Sequence, residues 1–307
     1  MNETRHQEHQ IPRDLAGQRA DTVVAGILAV SRTKAAGLIG AGCVTHEGRT
    51  LVKSDVLERG TLIISQPSEQ PAEQEILWKE SLQVKFEDDH VVVINKPAGV
   101  AAHASPGWSG PTVPGQLAAA GIPLARVGPA EREGIVHRLD VGTTGLMVVA
   151  KTPLAYTRLK AAFKARDVEK IYHALAQGHI DPTEGTIDAP IGRHPGATYK
   201  FAVTAEGKPS ITHYDTLEMM PAASLLEVRL ETGRTHQIRV HAAAMRHPLV
   251  GDLTYGADPT LAARLDLERQ WLHAVRLSFA HPATGETVTV ASEYPSDLAA
   301  ALEVLRL

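Results

Sequence analysis

The first apolar positions of the chain lie in two short groups that are typical of helices. Residues 20–28 place alanine, valine and leucine at helical spacing, and Ser31 is of a type that caps the start of a second helix, over residues 32–39. Gly40 is typical of a helix end. Short apolar runs bounded by turn residues then predict strands at residues 43–46 and 60–65. We therefore expect a small unit of two helices followed by short strands.

Further along the chain the hydrophobic pattern is mostly that of strands. Continuous apolar runs at residues 91–95 and 145–151 predict buried strands, and the alternation over residues 225–230 predicts a half-buried one. Two more apolar runs, separated by a turn-like HPATG segment, predict a hairpin of residues 271–280 and 286–292.

Helical signals are fewer in this larger part. They occur at residues 153–166, where a proline occupies the first turn, and at residues 235–246. Because strands outnumber helices without regular alternation, we predict an α+β fold on a mostly antiparallel, mixed sheet.

Changes in composition suggest where the domains begin and end. Residues 67–80 are rich in proline and glutamate, which is typical of a linker. We expect a polar lead-in over residues 1–12, a small α/β domain over 13–66, a linker over 67–80 and a larger domain over 81–307.

Composition also narrows the class of protein. Among 307 residues, 43% are hydrophobic and 21% charged, which excludes a disordered or collagen-like chain. Cys43 is the one cysteine in the sequence, no apolar run approaches the ~20 residues that span a bilayer, and residues 1–9 lack the apolar core of a signal peptide. A cytoplasmic protein without a membrane partner is the simplest expectation. The net charge of −4 gives no sign of nucleic-acid binding, which would have to rest on local patches.

The densest group of chemically active side chains is at residues 134–145 (GIVHRLDVGTTG). His137, Arg138 and Asp140 enter a loop between two predicted strands, and loops on a rigid sheet are where site residues tend to lie. A structural ion pair between Arg138 and Asp140 explains the same residues equally well.

A second group, at residues 231–241 (ETGRTHQIRVH), joins a strand to a helix predicted to start near Thr235. Free N–H groups at a helix start suit an anion, and Arg234 would add positive charge there, with Arg239 one turn further along. The alternative is a solvated helix face.

Five motifs in this order resemble the RluA family of pseudouridine synthases. They are KPAG at 96–99, HRLD followed by TTG at 137–145, KIYHA at 170–174, TGRTHQIRVH at 232–241, and HPLVGD with YG at 247–256. The small N-terminal unit resembles the RNA-binding domain named after the fourth small-subunit ribosomal protein. The segments RHP at 193–195 and GKP at 207–209 resemble the branch that modifies large-subunit ribosomal RNA.

The resemblance implies a reaction and a set of catalytic residues. The family breaks the bond between uracil and ribose, turns the base and rejoins it through carbon 5, without metal or other cofactor. Asp140 corresponds to the family's nucleophile, and Arg239 is the predicted ion-pair partner, with Arg234 as second choice. Tyr172 would stack on the flipped uracil.

The resemblance also implies substrate contacts. Arg138 would displace the target base, His137 and Arg234 would help to position the substrate, and Lys96 is expected to shape the sheet more than to do chemistry. The expected partner is RNA, in particular large-subunit rRNA or its precursor particle, bound by a monomer. Positive charge for the phosphates is expected from residues of the small domain and of the helix at 153–166: Arg32, Lys34, Arg49, Lys160 and Lys164.

Two segments depart from the family pattern. Val141 and Gly142 stand where many relatives carry a charged pair, and the loop at 102–107 is longer than usual. We therefore expect the contacts with the RNA backbone at residues 141–142, and the edge of the pocket at residues 102–107, to differ from those of the family.

Several other functions fit part of the pattern. His236, His241 and His247 suggest a zinc site, but their spacing is not H-E-x-x-H and cysteine ligands are absent, so we predict no metal. A glycosidase would need a second paired acid, and none stands out. A non-catalytic RNA-binding or ribosome-assembly factor, and a synthase acting on tRNA, remain alternatives.

Overall fold

The structure, a computed structural model, describes residues 4–28, 30–40, 42–67, 82–105, 108–128 and 130–307. The chain forms two compact units, Met1–Gln74 and Glu75–Leu307. Apart from Pro67, the segment predicted to be a linker, residues 67–80, lies outside the described residues.

The first unit packs two helices against a small antiparallel sheet, as far as it is described. Ala20, Val23 and Val24 recur at helical spacing, and all three are buried against Leu62 and Ile64 of the sheet. The elements are β1 (Thr4–Gln10), β2 (Gln18–Arg19), α1 (Ala20–Leu28), α2 (Arg32–Gly40), β3 (Val44–His46), β4 (Arg49–Thr50), β5 (Val56–Leu57) and β6 (Thr61–Pro67). The four-stranded sheet has the order β1-β6-β3-β4.

The polar start of the chain differs from the sequence-based prediction of a loose lead-in over residues 1–12. Residues 4–10 form β1, which pairs antiparallel with β6 from Thr4 opposite Pro67 to Gln10 opposite Thr61. An edge strand is held mainly by backbone hydrogen bonds to its neighbour, so its side chains can remain polar. Its sequence therefore carries little of the apolar alternation by which strands are recognised.

The second unit is built on one large mixed sheet. The strands are β7 (Gln83–Glu87), β8 (Val91–Lys96), β9 (Thr144–Ala150), β10 (Glu169–Gln177), β11 (Glu184–Asp188), β14 (Ile211–Met220), β15 (Ala223–Leu230), β16 (Leu272–Ala280) and β17 (Thr287–Ala291). Their order is β11-β14-β15-β10-β16-β9-β8-β7, with β17 paired to β16. Among the described pairs of this sheet, β9–β16 is the parallel one. This arrangement confirms the predicted α+β fold on a mostly antiparallel sheet.

A separate hairpin and several helices surround this sheet. The hairpin consists of β12 (Ile191–His194) and β13 (Ala197–Val203). The helices are α3 (Val113–Ala119), α4 (Pro153–Ala165), α5 (Gln237–Ala244), α6 (Pro259–Arg264) and α7 (Ser296–Arg306). In α4, the Thr152 hydroxyl accepts from the Ala155 amide at 3.2 Å and Pro153 begins the first turn, so this helix starts where the sequence predicts.

Both faces of the central strands are buried. Val92 and Ile94 pack with Tyr172 and with Ile238 of α5, whereas Val91 and Val93 belong to the apolar layer beneath α4. A strand covered on both sides reads as a continuous apolar run, which explains the pattern at residues 91–95.

The described residues contain no helix that is long and apolar enough to cross a membrane.

Candidate active site

The loop that carries Asp140 is fixed by hydrogen bonds from the chain just before β16. Gln270 Nε2 donates to Thr143 Oγ1 at 3.1 Å, and Arg269 Nη1 donates to the Gly142 carbonyl at 3.0 Å. The Thr143 amide closes a turn onto the Asp140 carbonyl, also at 3.0 Å. These bonds restrain the backbone on which the Asp140 side chain is mounted.

The strand after this loop is pressed closely against β16. The Thr144 hydroxyl lies 2.7 Å from His273 Nδ1, and both residues are buried. Gly145 has φ +113°, and a Cβ there would come within 2.4 Å of the Ala274 carbonyl oxygen. Glycine is therefore required for the parallel β9–β16 contact that anchors the loop.

Asp140 faces the guanidinium of Arg239. Arg239 Nη1 lies 3.5 Å from Asp140 Oδ2, and the Asp140 side chain is 15% exposed, so the carboxylate remains open to the cavity in front of it. Arg239 is itself held by Asp252, to which Nε donates at 2.6 Å and Nη2 at 2.9 Å. A bidentate pair of this kind fixes the plane of the guanidinium.

The helix that carries Arg239 starts two residues later than the sequence predicts. The helix starts at Gln237 rather than near Thr235, because His236 adopts a left-handed conformation with φ +57°. Arg239 consequently lies in the first turn of α5. His236 points towards the same carboxylate, with Nε2 at 4.0 Å from Asp140 Oδ1.

Tyr172 lies in the middle of the sheet, on β10 between β15 and β16. It is 6% exposed and lines the same cavity as Asp140. Burial, and then the negative charge of Asp140, raise the pKa of the Tyr172 phenol, so that it stays protonated at neutral pH. An uncharged ring facing a cavity can stack on a planar base.

Lys96 supports the site from within the fold. Its side chain is fully buried, and Nζ donates to the carbonyls of Pro97 and Val100 at 2.9 Å and of Val141 at 3.3 Å. Burial lowers the pKa of Lys96 to about 7. The amine thus ties the turn after β8 to the residue that follows Asp140. Lys96 is fully buried and is not part of the cavity wall, so it is not placed to contact the substrate, unlike the other residues predicted to bind it.

His137 and Arg138 point in different directions. His137 Nε2 accepts from the Val148 amide at 3.0 Å, and its ring stacks on Phe163 with centroids 4.5 Å apart. Burial lowers the pKa of His137 to about 3, so the ring is neutral. Arg138 is exposed at the cavity and makes no hydrogen bond or ion pair with any residue that the structure describes.

Arg234 does not reach Asp140. Its Nε donates to the Pro209 carbonyl at 3.1 Å, and its side chain lies exposed at the edge of the cavity. Its backbone amide is bound by the side chain of Gln237 at 3.0 Å. Arg239, and not Arg234, is therefore the ion-pair partner of Asp140, and Arg234 is one of the cations that line the cavity.

The cavity has a volume of about 610 Å³ and a wall rich in positive charge. Asp140 and Glu231 are its acidic residues, and Arg166 is paired with Glu231 at 2.8 Å. The predicted Lys160 and Lys164 both line it from α4. The basic residues of the wall are Arg132, Arg138, Lys160, Lys164, Arg166, Lys170, Arg234 and Arg239.

The predicted RNA contacts of the first unit are partly engaged with acidic residues. Arg32 pairs with the buried carboxylate of Asp21 at 3.0 Å, and Arg49 pairs with Asp55 at 3.2 Å. Both arginines remain exposed, with side-chain exposures of 61% and 75%. The side chain of Lys34 lies outside the described residues.

The three histidines considered for zinc do not converge. His241 places its ring nitrogens 2.9 Å from Thr212 Oγ1 and from the Ala189 carbonyl, and His247 Nδ1 lies 2.8 Å from the Gln177 carbonyl. No cluster of metal-ligating side chains occurs within the described ranges.

Two functional neighbours were missed from the sequence, Asp252 and Tyr255. The Arg239 guanidinium lies 4.9 Å above the Tyr255 ring, and the Asp252 side chain is 1% exposed. Both belong to the HPLVGD–YG segment, whose motif was recognised without a role for either residue. An acidic residue in an otherwise apolar stretch was the available signal, since a buried carboxylate needs a cationic partner.

The chain is similar in sequence to known RNA pseudouridine synthases. The model of the family described as RNA pseudouridylate synthase matches residues 90–244. The chain is 58% identical over 298 residues to an uncharacterized RNA pseudouridine synthase of Mycobacterium bovis, covering 96% of this chain and 97% of the relative. It is 42% identical over 308 residues to the ribosomal large subunit pseudouridine synthase D of Pseudomonas aeruginosa, covering 97% and 95%.

Two human structures share the fold. RNA pseudouridylate synthase domain containing 4 has a TM-score of 0.60 at 25% identity, covering 76% of this chain and 97% of the human one. Domain containing 1 has a TM-score of 0.59 at 31% identity, covering 73% and 88%. The chain belongs to the RNA pseudouridylate synthase family, the RluA family that its motifs resemble, and is an RNA pseudouridine synthase.

Proposed function

We propose that this synthase isomerises uridines of large-subunit ribosomal RNA, with Asp140 as its nucleophile. The observation that carries the proposal is the position of the Asp140 carboxylate. It opens into a cation-lined cavity, with the Arg239 guanidinium at 3.5 Å and Tyr172 on the same wall.

The reaction needs one group that can attack or stabilise an electron-poor carbon, and an ionised carboxylate is such a group. The bond between ribose C1′ and uracil N1 breaks, the uracil turns, and a bond forms between C1′ and C5. The proton leaves C5 and N1 gains one, so substrate and product have the same composition. Arg239 places its positive charge 3.5 Å from Asp140 Oδ2 and leaves the other side of the carboxylate open to the cavity.

The neighbouring residues bind and hold the base. A uridine within a helix is not accessible to Asp140, so it has to turn out of its stack into the cavity. Tyr172 then packs against the uracil ring. Arg138 is unpaired in the described structure and two residues from Asp140, so it is available to fill the space that the base leaves.

The RNA backbone is bound by the basic wall and by the first unit. Lys160 and Lys164 share one face of α4, and together with Arg132 and Lys170 they place four positive charges on the cavity wall for phosphates to bind. Residues 13–66 act as a tethered RNA-binding domain like that of the fourth small-subunit ribosomal protein, joined by residues 67–80. Such a tether raises the local concentration of RNA at the catalytic domain.

The choice of ribosomal RNA rests on the relatives. The Pseudomonas aeruginosa protein, which matches over nearly the whole chain, is named for the large ribosomal subunit. This protein would then act in the cytoplasm, as a monomer, on the rRNA or its precursor particle.

Mapping of pseudouridine across total RNA by chemical labelling and reverse-transcription stops tests this proposal. The experiment compares cells that lack the protein, cells with the intact protein and cells that carry the Asp140→Asn variant. We expect stops at a few large-subunit rRNA positions to disappear in both the deletion and the variant. Loss confined to tRNA positions would contradict the substrate, and an unchanged map would favour a non-catalytic RNA-binding or ribosome-assembly role.

A further inference from the structure

A chain of contacts leads from the β12–β13 hairpin to the proposed nucleophile. The Phe201 amide donates to the Tyr255 hydroxyl at 3.1 Å. That hydroxyl lies 2.8 Å from His236 Nδ1, and His236 Nε2 faces Asp140 Oδ1 at 4.0 Å. The Phe201 and Tyr255 rings both meet the His236 ring edge-on, with centroids 5.7 Å apart, and so fix its plane.

The direction of these hydrogen bonds follows from the number of protons available. Burial raises the pKa of Tyr255, so its hydroxyl carries one hydrogen at neutral pH. The hydroxyl oxygen already accepts from Phe201, and its own hydrogen needs an acceptor. Within the described part of the chain, His236 Nδ1 is the acceptor at hydrogen-bond distance.

The charge and the tautomer of the His236 ring follow from its surroundings and from the same hydrogen bond. The charged groups around it are Asp140, Asp252, Arg239 and Arg138, and their effects oppose one another, so that burial dominates and lowers the pKa of His236. A neutral imidazole carries one N–H and one acceptor nitrogen. If Nδ1 accepts from Tyr255, the hydrogen must be on Nε2, the nitrogen that faces Asp140.

We infer that Tyr255 fixes His236 as the tautomer protonated at Nε2, and that His236 is a positioning residue for the Asp140 carboxylate. The N–H of His236 Nε2 then faces Asp140 Oδ1, and Arg239 Nη1 faces Oδ2, so the two residues together orient the carboxylate. This inference rests on the proposed role of Asp140. Because its first donor is a backbone amide of the hairpin, correct seating of β13 is coupled to the orientation of the nucleophile.

Nitrogen-15 NMR of the full-length protein reads the tautomer directly. Two-bond ¹H–¹⁵N correlation distinguishes protonated from unprotonated ring nitrogens, and the His236 signals are identified by their loss in His236→Gln. We expect an unprotonated Nδ1 and a protonated Nε2 in the intact protein, and a shift towards mixed tautomers in Tyr255→Phe. A hydrogen on Nδ1, or an unchanged pattern in Tyr255→Phe, would overturn the inference.

Kinetics test the positioning role. Tyr255→Phe keeps the ring under Arg239, and we expect kcat to fall about 10-fold, as for loss of a neutral hydrogen bond that leaves a buried group unpaired, with KM within about twofold of its original value. The matched control is Tyr199→Phe, which removes a hydroxyl from a side chain that is 70% exposed in the same hairpin. An equal fall in kcat in both variants would contradict the role.

Two substitutions of His236 test which of its ring nitrogens carries the hydrogen. The glutamine amide of His236→Gln can reach the position of Nε2, whereas the shorter asparagine amide of His236→Asn reaches that of Nδ1. We expect the glutamine variant to retain more activity than the asparagine variant, and the reverse order would contradict the inference. An active Asp140→Asn enzyme would defeat the proposed function instead, while the NMR result for His236 would stand.

Discussion

Arg239 divides its guanidinium between two carboxylates. Nε and Nη2 bind Asp252 at 2.6 and 2.9 Å, and Nη1 faces Asp140 at 3.5 Å. The planar fork of arginine makes this division possible, because one edge is fixed while the remaining nitrogen is presented to the open carboxylate. Asp252 thus sets the position from which Arg239 acts.

Arg239→Lys should impair the chemical step far more than RNA binding. Lysine keeps the positive charge but cannot bind Asp252 through two nitrogens and reach Asp140 as well. We expect single-turnover rates to fall by about 100-fold, the effect of roughly 3 kcal/mol on a barrier, with RNA affinity nearly unchanged. Arg229→Lys, at a half-exposed pair with Asp215, is the control and should retain full rate. Comparable losses of rate and affinity for Arg239→Lys would make Arg239 a phosphate contact.

Asp252→Asn should lower the stability of the folded protein as well as the rate of the reaction. The Asp252 side chain is 1% exposed and that of Arg239 9%, so neutralising the aspartate removes the closer counter-charge of a buried guanidinium and leaves it only Asp140, at 3.5 Å. Breaking a buried pair in this way costs about 3–5 kcal/mol, measured by urea unfolding. The matched change Asp215→Asn breaks an exposed pair, for which about 1 kcal/mol or less is expected. Equal costs for the two variants would contradict the structural role of Asp252.

His137 should make stability depend on pH below neutrality. Its folded-state pKa is about 3 against 6.5 for a free histidine, because burial and then Lys170 disfavour the charged ring. Between these values the unfolded chain binds a proton that the folded chain does not, so the stability present above pH 6.5 declines as the pH falls towards 3. In His137→Gln, whose amide oxygen can still accept from Val148, urea unfolding should show a flatter decline. Exposed His194→Gln is the control, and an unchanged slope in His137→Gln would contradict the assignment.

Lys160 and Lys164 should contribute to RNA binding through phosphate contacts. Replacing both by alanine should weaken binding of every RNA that the enzyme accepts. It should also reduce the slope of log affinity against log salt by about 1.4–1.8, as expected for two lost phosphate contacts. Lys85→Ala, an exposed lysine of β7 outside the cavity, is the control and should change neither quantity. An unchanged salt slope in the double variant would assign these lysines to solubility alone.

The sequence allowed much of the fold to be predicted where local signals agree with tertiary structure. The helix at Ala20–Leu28 follows from apolar spacing, and the start of α4 follows from a proline in the first turn. Strand β1 was missed because an edge strand needs little apolar alternation. The start of α5 was misplaced because the left-handed turn at His236 depends on its surroundings rather than on propensity.

In the candidate active site, too, the residues with a sequence motif were predicted and those that depend on tertiary contacts were not. Asp140, Tyr172 and Arg239 were identified from motifs that resemble the family, and the fold brings all three to one cavity. The sequence marks Asp252 as an acidic residue in an apolar stretch, but it does not name Arg239 as the partner of Asp252 or Tyr255, because these contacts form only when the chain after α5 folds back beneath Arg239.

Release of tritium from RNA labelled at carbon 5 of uridine tests the central claim most directly. Forming the C1′–C5 bond requires that hydrogen to leave, so each turnover releases one label. Purified protein should release tritium from large-subunit rRNA, and Asp140→Asn should release none while binding the same RNA with similar affinity. Release of tritium by Asp140→Asn at the rate of the unaltered protein would contradict the assignment of Asp140 as the nucleophile.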